Sequence, residues 1–350
     1  MKAQPNNSSK TFSFSAYKAL LPLLLSVLIA LYIGKDISWS LIQSIEINTR
    51  FIVFMVFAVL LFIIRDANYV FRLRLLTDRI ISWGKLIQIV ILWEFASAVT
   101  PSAFGGPIAA VFLLQKEKIS LGKSTSIILI TAFLDELIFI ILLPVLYILV
   151  GANFFQINIT CIDNKAFLEL IPYFKSLILI VYTFLLIVYL VLFYGLFMNA
   201  KSLQKAYQIL GNLPLINRWQ TQLNQAGTDI VIASKEAKSK SINFWLQAIF
   251  FTFCSWSARY ILAFFVIASM MKQLPDILEV YSKLYFIRTL SILPLSPGGI
   301  GVAEISFLAL LCQFIPNAFI QVATLIWRFL SYHIYLIMGI IAIPIYFKKK

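Results

Sequence analysis

The chain has 350 residues, of which 61% fall in the apolar set and 13% are charged, against roughly 45–50% and about 25% in an ordinary soluble domain. A water-soluble globule is excluded, because a body of this size cannot hide 31 Phe with its Leu and Ile from water, so lipid is the natural solvent of its surface. The formal charge of +14 comes from 29 Lys and Arg set in short clusters between apolar runs; this is a membrane orientation signal and excludes a nucleic-acid-binding patch.

In chain order, a polar tail (residues 1–16) leads into a first apolar run at 17–34, which has no small-residue cleavage site and reads as a retained anchor. A span needs about 20 apolar residues. Runs at 51–75, 124–150, 174–198, 244–270 and 319–347 also qualify, giving six predicted spans. Two further stretches break in the middle: 86–115 at residues 100–107, and 281–314 at residues 294–301. Proline and paired glycines disfavour continuous helix, so each reads as two half-helices around a loop. The outer loop 151–172 carries an Asn158-Ile159-Thr160 sequon. Residues 199–242 form a basic, partly amphipathic segment (Leu203, Tyr207, Leu210, Leu213, Ile216) predicted to lie on cytoplasmic headgroups. Trp39, Trp83, Trp245 and Tyr346, near run ends, read as interfacial anchors. The predicted fold is an all-α polytopic membrane protein with six full spans and two broken, re-entrant helix pairs.

Re-entrant breaks with a cytoplasmic N-terminus put 20 basic residues inside, 6 outside and 3 within apolar runs, counting Arg65 and Arg72 among the inside set. Both termini are then cytoplasmic, in an inner membrane. Two thin crossings per broken stretch give the same sidedness. Residues 51–150 and 243–347 become two units of opposite orientation. An offset of 194 carries Arg65 onto Arg259 and Glu94 onto Arg288, and an offset of 193 carries Pro101 onto Pro294, Gly105 onto Gly298 and Asp135 onto Arg328. Broken helices at matching places of inverted units point to a transport site.

Non-helical backbone at membrane depth survives only against protein or a watery cavity. Thr100, Pro101, Gly105, Gly106 and Pro107 in the first break, and Ser296, Pro297, Gly298, Gly299 and Gly301 in the second, are therefore candidates to line such a cavity. Each break ends at a half-helix start, whose free N–H groups favour an anion; the rival reading is two kinks packed against neighbours. Glu94, Asp135, Glu136, Glu304, Arg259, Arg288 and Arg328 stand in apolar surroundings. Each costs about 2.5–3.5 kcal/mol at a helix centre, so they are expected to face inward and pair. Asp135 and Glu136 diverge by about 100° on a helix, so one partner cannot serve both directly, which leaves the other protonated or near the membrane edge. Glu304 either caps its half-helix or serves function. Arg288 and Arg328 either bind a phosphate in bidentate fashion or pair with Glu94 and Asp135. Cys161, Cys254 and Cys312 are too dispersed for a disulfide framework or a thiolate metal site, and His333 is the one histidine. Neither a cofactor nor a metal is expected.

Two segments carry a family resemblance: TPSAFGGP (residues 100–107) followed by FLLQKEKISLGKS, and LPLSPGGIGVAEISF (residues 293–307) followed by Arg328 and Tyr332. They resemble the lysylphosphatidylglycerol synthase transmembrane family, the flippase-like membrane module of the multiple peptide resistance factor. The likeness runs from Tyr17 onward. It implies movement of a lipid with an anionic phosphate or a lipid-linked sugar between leaflets, with membrane lipids and a separate synthase as partners and no nucleic acid. The soluble aminoacyl-transfer domain of the larger family members is absent from these 350 residues. Residues 108–111 are all apolar where many relatives carry a charge. An ion-coupled solute transporter using Glu94 and Asp135, and a membrane subunit of an aminoacyl-lipid synthase, are the rival expectations.

Overall fold

A computed structural model describes residues 16–35, 37–100, 105–156, 165–212, 217–291 and 296–348. Pro101, the Asn158 sequon and Cys161 lie outside them. Among the described residues every regular element is a helix: α1 (Ala16–Gly34), α2 (Trp39–Gln43), α3 (Thr49–Leu76), α4 (Trp83–Val99), α5 (Gly105–Lys116), α6 (Leu121–Val150), α7 (Lys165–Phe193), α8 (Ala200–Gly211), α9 (Gln220–Ser239), α10 (Ile242–Ser269), α11 (Ile277–Ser291), α12 (Val302–Leu311), α13 (Asn317–Arg328) and α14 (Ile334–Phe347). The protein is an all-α polytopic membrane protein. Polar side chains set the starts of the long helices: Asn48 accepts from the Phe51 amide at 2.9 Å, and Ser241 from the Phe244 amide at 3.3 Å.

Among the described residues, six helical runs are long and apolar enough to span a bilayer: Thr49–Leu76, Leu121–Phe155, Lys175–Met198, Ile242–Ser269, Pro297–Phe314 and Ala318–Phe347. Five coincide with spans read from sequence. The run Pro297–Phe314 is instead the return limb of the second broken stretch. Some 61% of it is buried inside the protein, against 11% for Thr49–Leu76, so it faces protein rather than lipid.

The first broken stretch doubles back. Lys85, at the start of α4, stands 3.9 Å from Glu117, just past the end of α5, so both limbs of this hairpin open on the same side. Helix resumes at Gly105, placing Gly105, Gly106 and Pro107 in the first turn of α5 and not in the loop. In the second stretch α11 packs along α12 around a short turn, Pro297–Gly299.

Helices of residues 51–150 pack on helices of residues 243–347. α3 lies along α10, α4 along α14, and α6 against α11. Exchanging the first unit for the second returns the α3/α10 pair to itself and carries α4/α14 onto α11/α6. Two larger apolar clusters each draw on both units. Phe139, Tyr285 and Phe307 belong to one, and Leu86, Leu114 and Leu134 to the other.

Two expectations change. Arg65 and Arg72 are not in a cytoplasmic segment: they lie within α3, 5% and 1% exposed, because ion pairs make their burial tolerable. In the segment 199–242, Leu213 and Ile216 lie outside the described residues; α8 packs on α9 and α9 on α6, burying Ile230, Ala233 and Ala237. Tyr346 is buried, its hydroxyl donating to the Leu113 carbonyl at 3.1 Å, whereas Trp39 and Trp83 are exposed.

Candidate functional site

Between the two units lies a cavity of about 430 Å³, lined from α3, α4, α5, α6, α10, α11, α12, α13 and the second break. It sits at mid-depth. Asp135 is the fifteenth of the 30 residues of α6, and at 1.5 Å per residue about 21 Å separate it from either end. Of the residues singled out from sequence, Glu94, Pro107, Asp135, Glu136, Arg259, Arg288, Gly298 and Arg328 all line this cavity.

The charges inside are paired, but in combinations the sequence did not indicate. Arg65 reaches Glu94 at 2.5 Å and Asp66 at 2.9 Å, and its Nη1 also meets the Tyr335 hydroxyl. That hydroxyl donates to Asp66 at 2.7 Å. Arg72 holds Asp135 at 2.5 Å, and the Trp256 indole N–H donates to the same Asp135 oxygen at 2.8 Å. Arg288 holds Glu136 at 3.0 Å and lies over the rings of Phe139 and Trp256, at 4.2 and 4.8 Å. Arg328 Nε holds Glu304 at 2.6 Å. Asp135 and Glu136 therefore both have cationic partners, one on α3 and one on α11. Their divergence aims them at different helices, and neither is left at the membrane edge.

Arg259 differs from the other four arginines. Its nearest carboxylate oxygen, on Glu94, is 3.9 Å away, beyond hydrogen-bond range, and that carboxylate is already bonded to Arg65. Its side chain is 35% exposed, against 1–11% for Arg65, Arg72, Arg288 and Arg328. It is the most exposed of these five guanidinium groups. Further polar atoms on the lining also lack a partner among the described residues: Thr131 Oγ1, Glu136 Oε2, Arg288 Nη1 and Ser331 Oγ. Buried polar groups are nearly always hydrogen-bonded. A cluster of such atoms around one cavity fits a polar occupant.

The two breaks meet beside this cavity. The Tyr332 hydroxyl, from the π-helical turn Phe329–His333, donates to the Ala98 carbonyl at the end of α4 at 3.0 Å. A Cβ on Gly298 would stand 2.3 Å from Tyr332 and 3.1 Å from that same carbonyl. Arg328 Nη2 donates to the Gly298 carbonyl at 2.8 Å. Glu304 accepts from the Gly301 amide at 2.7 Å, so the protein's own carboxylate meets the free N–H at the start of α12. One free N–H group of that half-helix end is thus met internally.

The remaining candidates stand around the cavity and not on it. Thr100 donates to the Ala96 carbonyl at 2.7 Å, and a Cβ on Gly105 or Gly106 would meet Thr100 or Ser97 at 2.0 or 1.9 Å, so these glycines let α5 lie against α4. Ser296 donates to the Ile300 carbonyl at 2.6 Å, Pro297 opens the turn, and Gly299 is buried beneath Ser291. Arg65, Tyr69 and Arg72 were not among the candidates. Their spacing of four and three residues puts them on one face of a helix, a signal the sequence does hold. Trp93 and Trp256 also line the cavity and carry no such signal.

The family model for the lysylphosphatidylglycerol synthase TM region matches residues 19–339. A UPF0104 membrane protein of Archaeoglobus fulgidus is 24% identical over 333 residues, covering 93% of this chain and 94% of that protein.

Proposed function

This chain belongs to the lysylphosphatidylglycerol synthase transmembrane-region family, and from that premise we propose that it moves a lipid between the leaflets of a bacterial cytoplasmic membrane. The cargo is an anionic phospholipid or a lipid-linked sugar; the chemistry common to both is a phosphate ester. The observation that carries this reading is Arg259, an accessible guanidinium at mid-depth whose nearest carboxylate is 3.9 Å away and already engaged. Guanidinium binds oxyanions through paired, charge-assisted hydrogen bonds. Arg288 Nη1 and the hydroxyls of Thr131 and Ser331 supply additional polar contacts on the same lining. The headgroup would pass through this wet cavity while its tails stay in lipid.

In this reading both termini face the cytoplasm, where most of the loop-borne Lys and Arg lie. Proton carriage by Glu94 and Asp135 is less well supported, since each is already held by an arginine at 2.5 Å.

The test is a leaflet assay in proteoliposomes carrying fluorescent phosphatidylglycerol, read by quenching from outside. The wild type should exchange label faster than protein-free vesicles. Arg259→Gln, reconstituted equally, should slow exchange by about tenfold or more, the size expected from losing a charge-assisted hydrogen bond. Lys235→Gln, on α9, should be neutral. No lipid movement together with solute uptake driven by a pH gradient would replace the reading with an ion-coupled transporter.

A further inference from the structure

We propose that the back of the α4–α5 hairpin is a second lipid site, which holds one acyl chain of an anionic phospholipid with its phosphate on Lys116. The site is separate from the central cavity and does not depend on the translocase reading.

A groove of about 260 Å³ runs between α4, α5 and α14, with Phe95, Ala96, Ala109, Phe112, Ile343 and Phe347 among its walls. It lies on the opposite face of the hairpin from the central cavity: Trp93 and Glu94 face the cavity, and Leu92, Phe95 and Ala96 face the groove. The gap is built into the packing. α14 is held to α4 where Gly339 meets the Phe95 ring, so closely that a Cβ there would stand 2.3 Å away. It is held to α5 by the hydrogen bond from Tyr346 to the Leu113 carbonyl. Between these two fixed contacts, Ala96 and Ala109 are too small to fill the space. An apolar gap of this kind at membrane depth takes hydrocarbon.

The mouth of the groove identifies the occupant. Phe347 is 39% exposed, and the Lys116 ammonium sits 3.7 Å from its ring centroid. Among the described residues Lys116 has no carboxylate within 4 Å. Lys85 stands 4.6 Å from the Tyr346 ring, and Glu117 is 3.9 Å from Lys85. A cation is thus placed where the phosphate of a lipid would lie if its chain entered the groove. The wall residues of α4 and α5 each span five positions, about 6 Å along the helix. That suits a stretch of alkyl chain and is too short for a docked helix, which needs anchors over two turns.

The test is native mass spectrometry of the full chain, released from micelles containing equal amounts of dioleoylphosphatidylglycerol and dioleoylphosphatidylcholine. The wild type should retain at least one phosphatidylglycerol in preference to phosphatidylcholine. Ala109→Leu, and independently Ala96→Leu from the opposite wall, should each remove one retained lipid of either headgroup. Lys116→Gln should keep the chain site but reduce the phosphatidylglycerol preference about fivefold, the effect of one lysine at a membrane surface. Thermal unfolding in detergent identifies any variant that fails to fold, and the second wall variant then decides. Retention unchanged in both Leu variants, or a preference unchanged in Lys116→Gln, overturns the proposal. So does retention that follows a monomer–dimer ratio, which would make the groove an interface between copies.

Discussion

Arg328 and Glu304 form a buried pair in which each member also fixes the second break: Arg328 Nε donates to Glu304 at 2.6 Å and Nη2 to the Gly298 carbonyl, while the other Glu304 oxygen accepts the Gly301 amide. One ion pair thereby ties α13 to the turn before α12. Both side chains are at most 7% exposed, so neither charge finds compensation in water if its partner is lost.

Removal of one member should therefore cost far more than removal of both. Glu304→Ala or Arg328→Ala alone should destabilise by about 3–5 kcal/mol, the usual cost of a buried unpaired charge. The double variant Glu304→Leu/Arg328→Met should lose less than the sum of the two single changes. Thermal unfolding of all three in one detergent measures this, and strict additivity would show that the pair is not coupled.

Gly298 has φ of +56°, a conformation costly for any residue with a Cβ. Gly298→Ala should destabilise by about 1–3 kcal/mol. Trimming the colliding ring with Tyr332→Ala should recover only part of the loss, because the backbone strain and the approach to the Ala98 carbonyl remain. Full recovery in the double variant would assign the whole effect to the ring.

Asp78, in the turn between α3 and α4, receives hydrogen bonds from Lys123 and Lys240, both at 2.6 Å, and so ties α6 and the start of α10 to that turn. Partial burial pushes its carboxyl up, but the hydrogen bonds and charges of the two lysines more than offset this and hold it below its ordinary value. With the folded value lowered, the clip contributes fully above the unfolded value of about 3.9 and is lost as pH falls through the lower, folded one. The difference in unfolding temperature between wild type and Asp78→Asn should be present at pH 7 and shrink toward zero in strong acid. A difference that grows on acidification would reverse the sign.

The orientation can be read by thiol labelling. Cys161 should react with an impermeant reagent from the outside of intact cells, and a cysteine placed at Lys118 only after lysis. Cysteines at Lys85 and Glu117 should cross-link within one chain, since those side chains approach to 3.9 Å.

Much of the fold is legible in the sequence because hydrophobic run length and Gly/Pro breaks are local quantities. Residues 51–75, 124–150, 174–198 and 244–270 needed only their own composition to be read as spans, since a bilayer imposes one length on every helix that crosses it. The cost of charge in hydrocarbon likewise marked Glu94, Asp135, Glu136, Arg259, Arg288 and Arg328 as inward-facing, and all six line one cavity. Arg65 and Arg72 were misplaced because they stand at the polar end of a run, where composition does not separate a loop from a buried ion pair.

Who pairs with whom is a different kind of information. Arg288 meets Glu136 and not Glu94, and Arg328 meets Glu304 and not Asp135, because each choice depends on how α6, α11, α12 and α13 are turned and spaced. Run length and composition determined that this chain lives in a membrane and where its helices break. Only the tertiary structure decided that each broken stretch folds back on itself as a hairpin, that Glu304 answers the start of α12, and that Arg259 has no carboxylate closer than 3.9 Å. A hydrogen bond requires positions fixed to a few tenths of an ångström, and for Arg288 and Glu136 those come from packing between segments 152 residues apart.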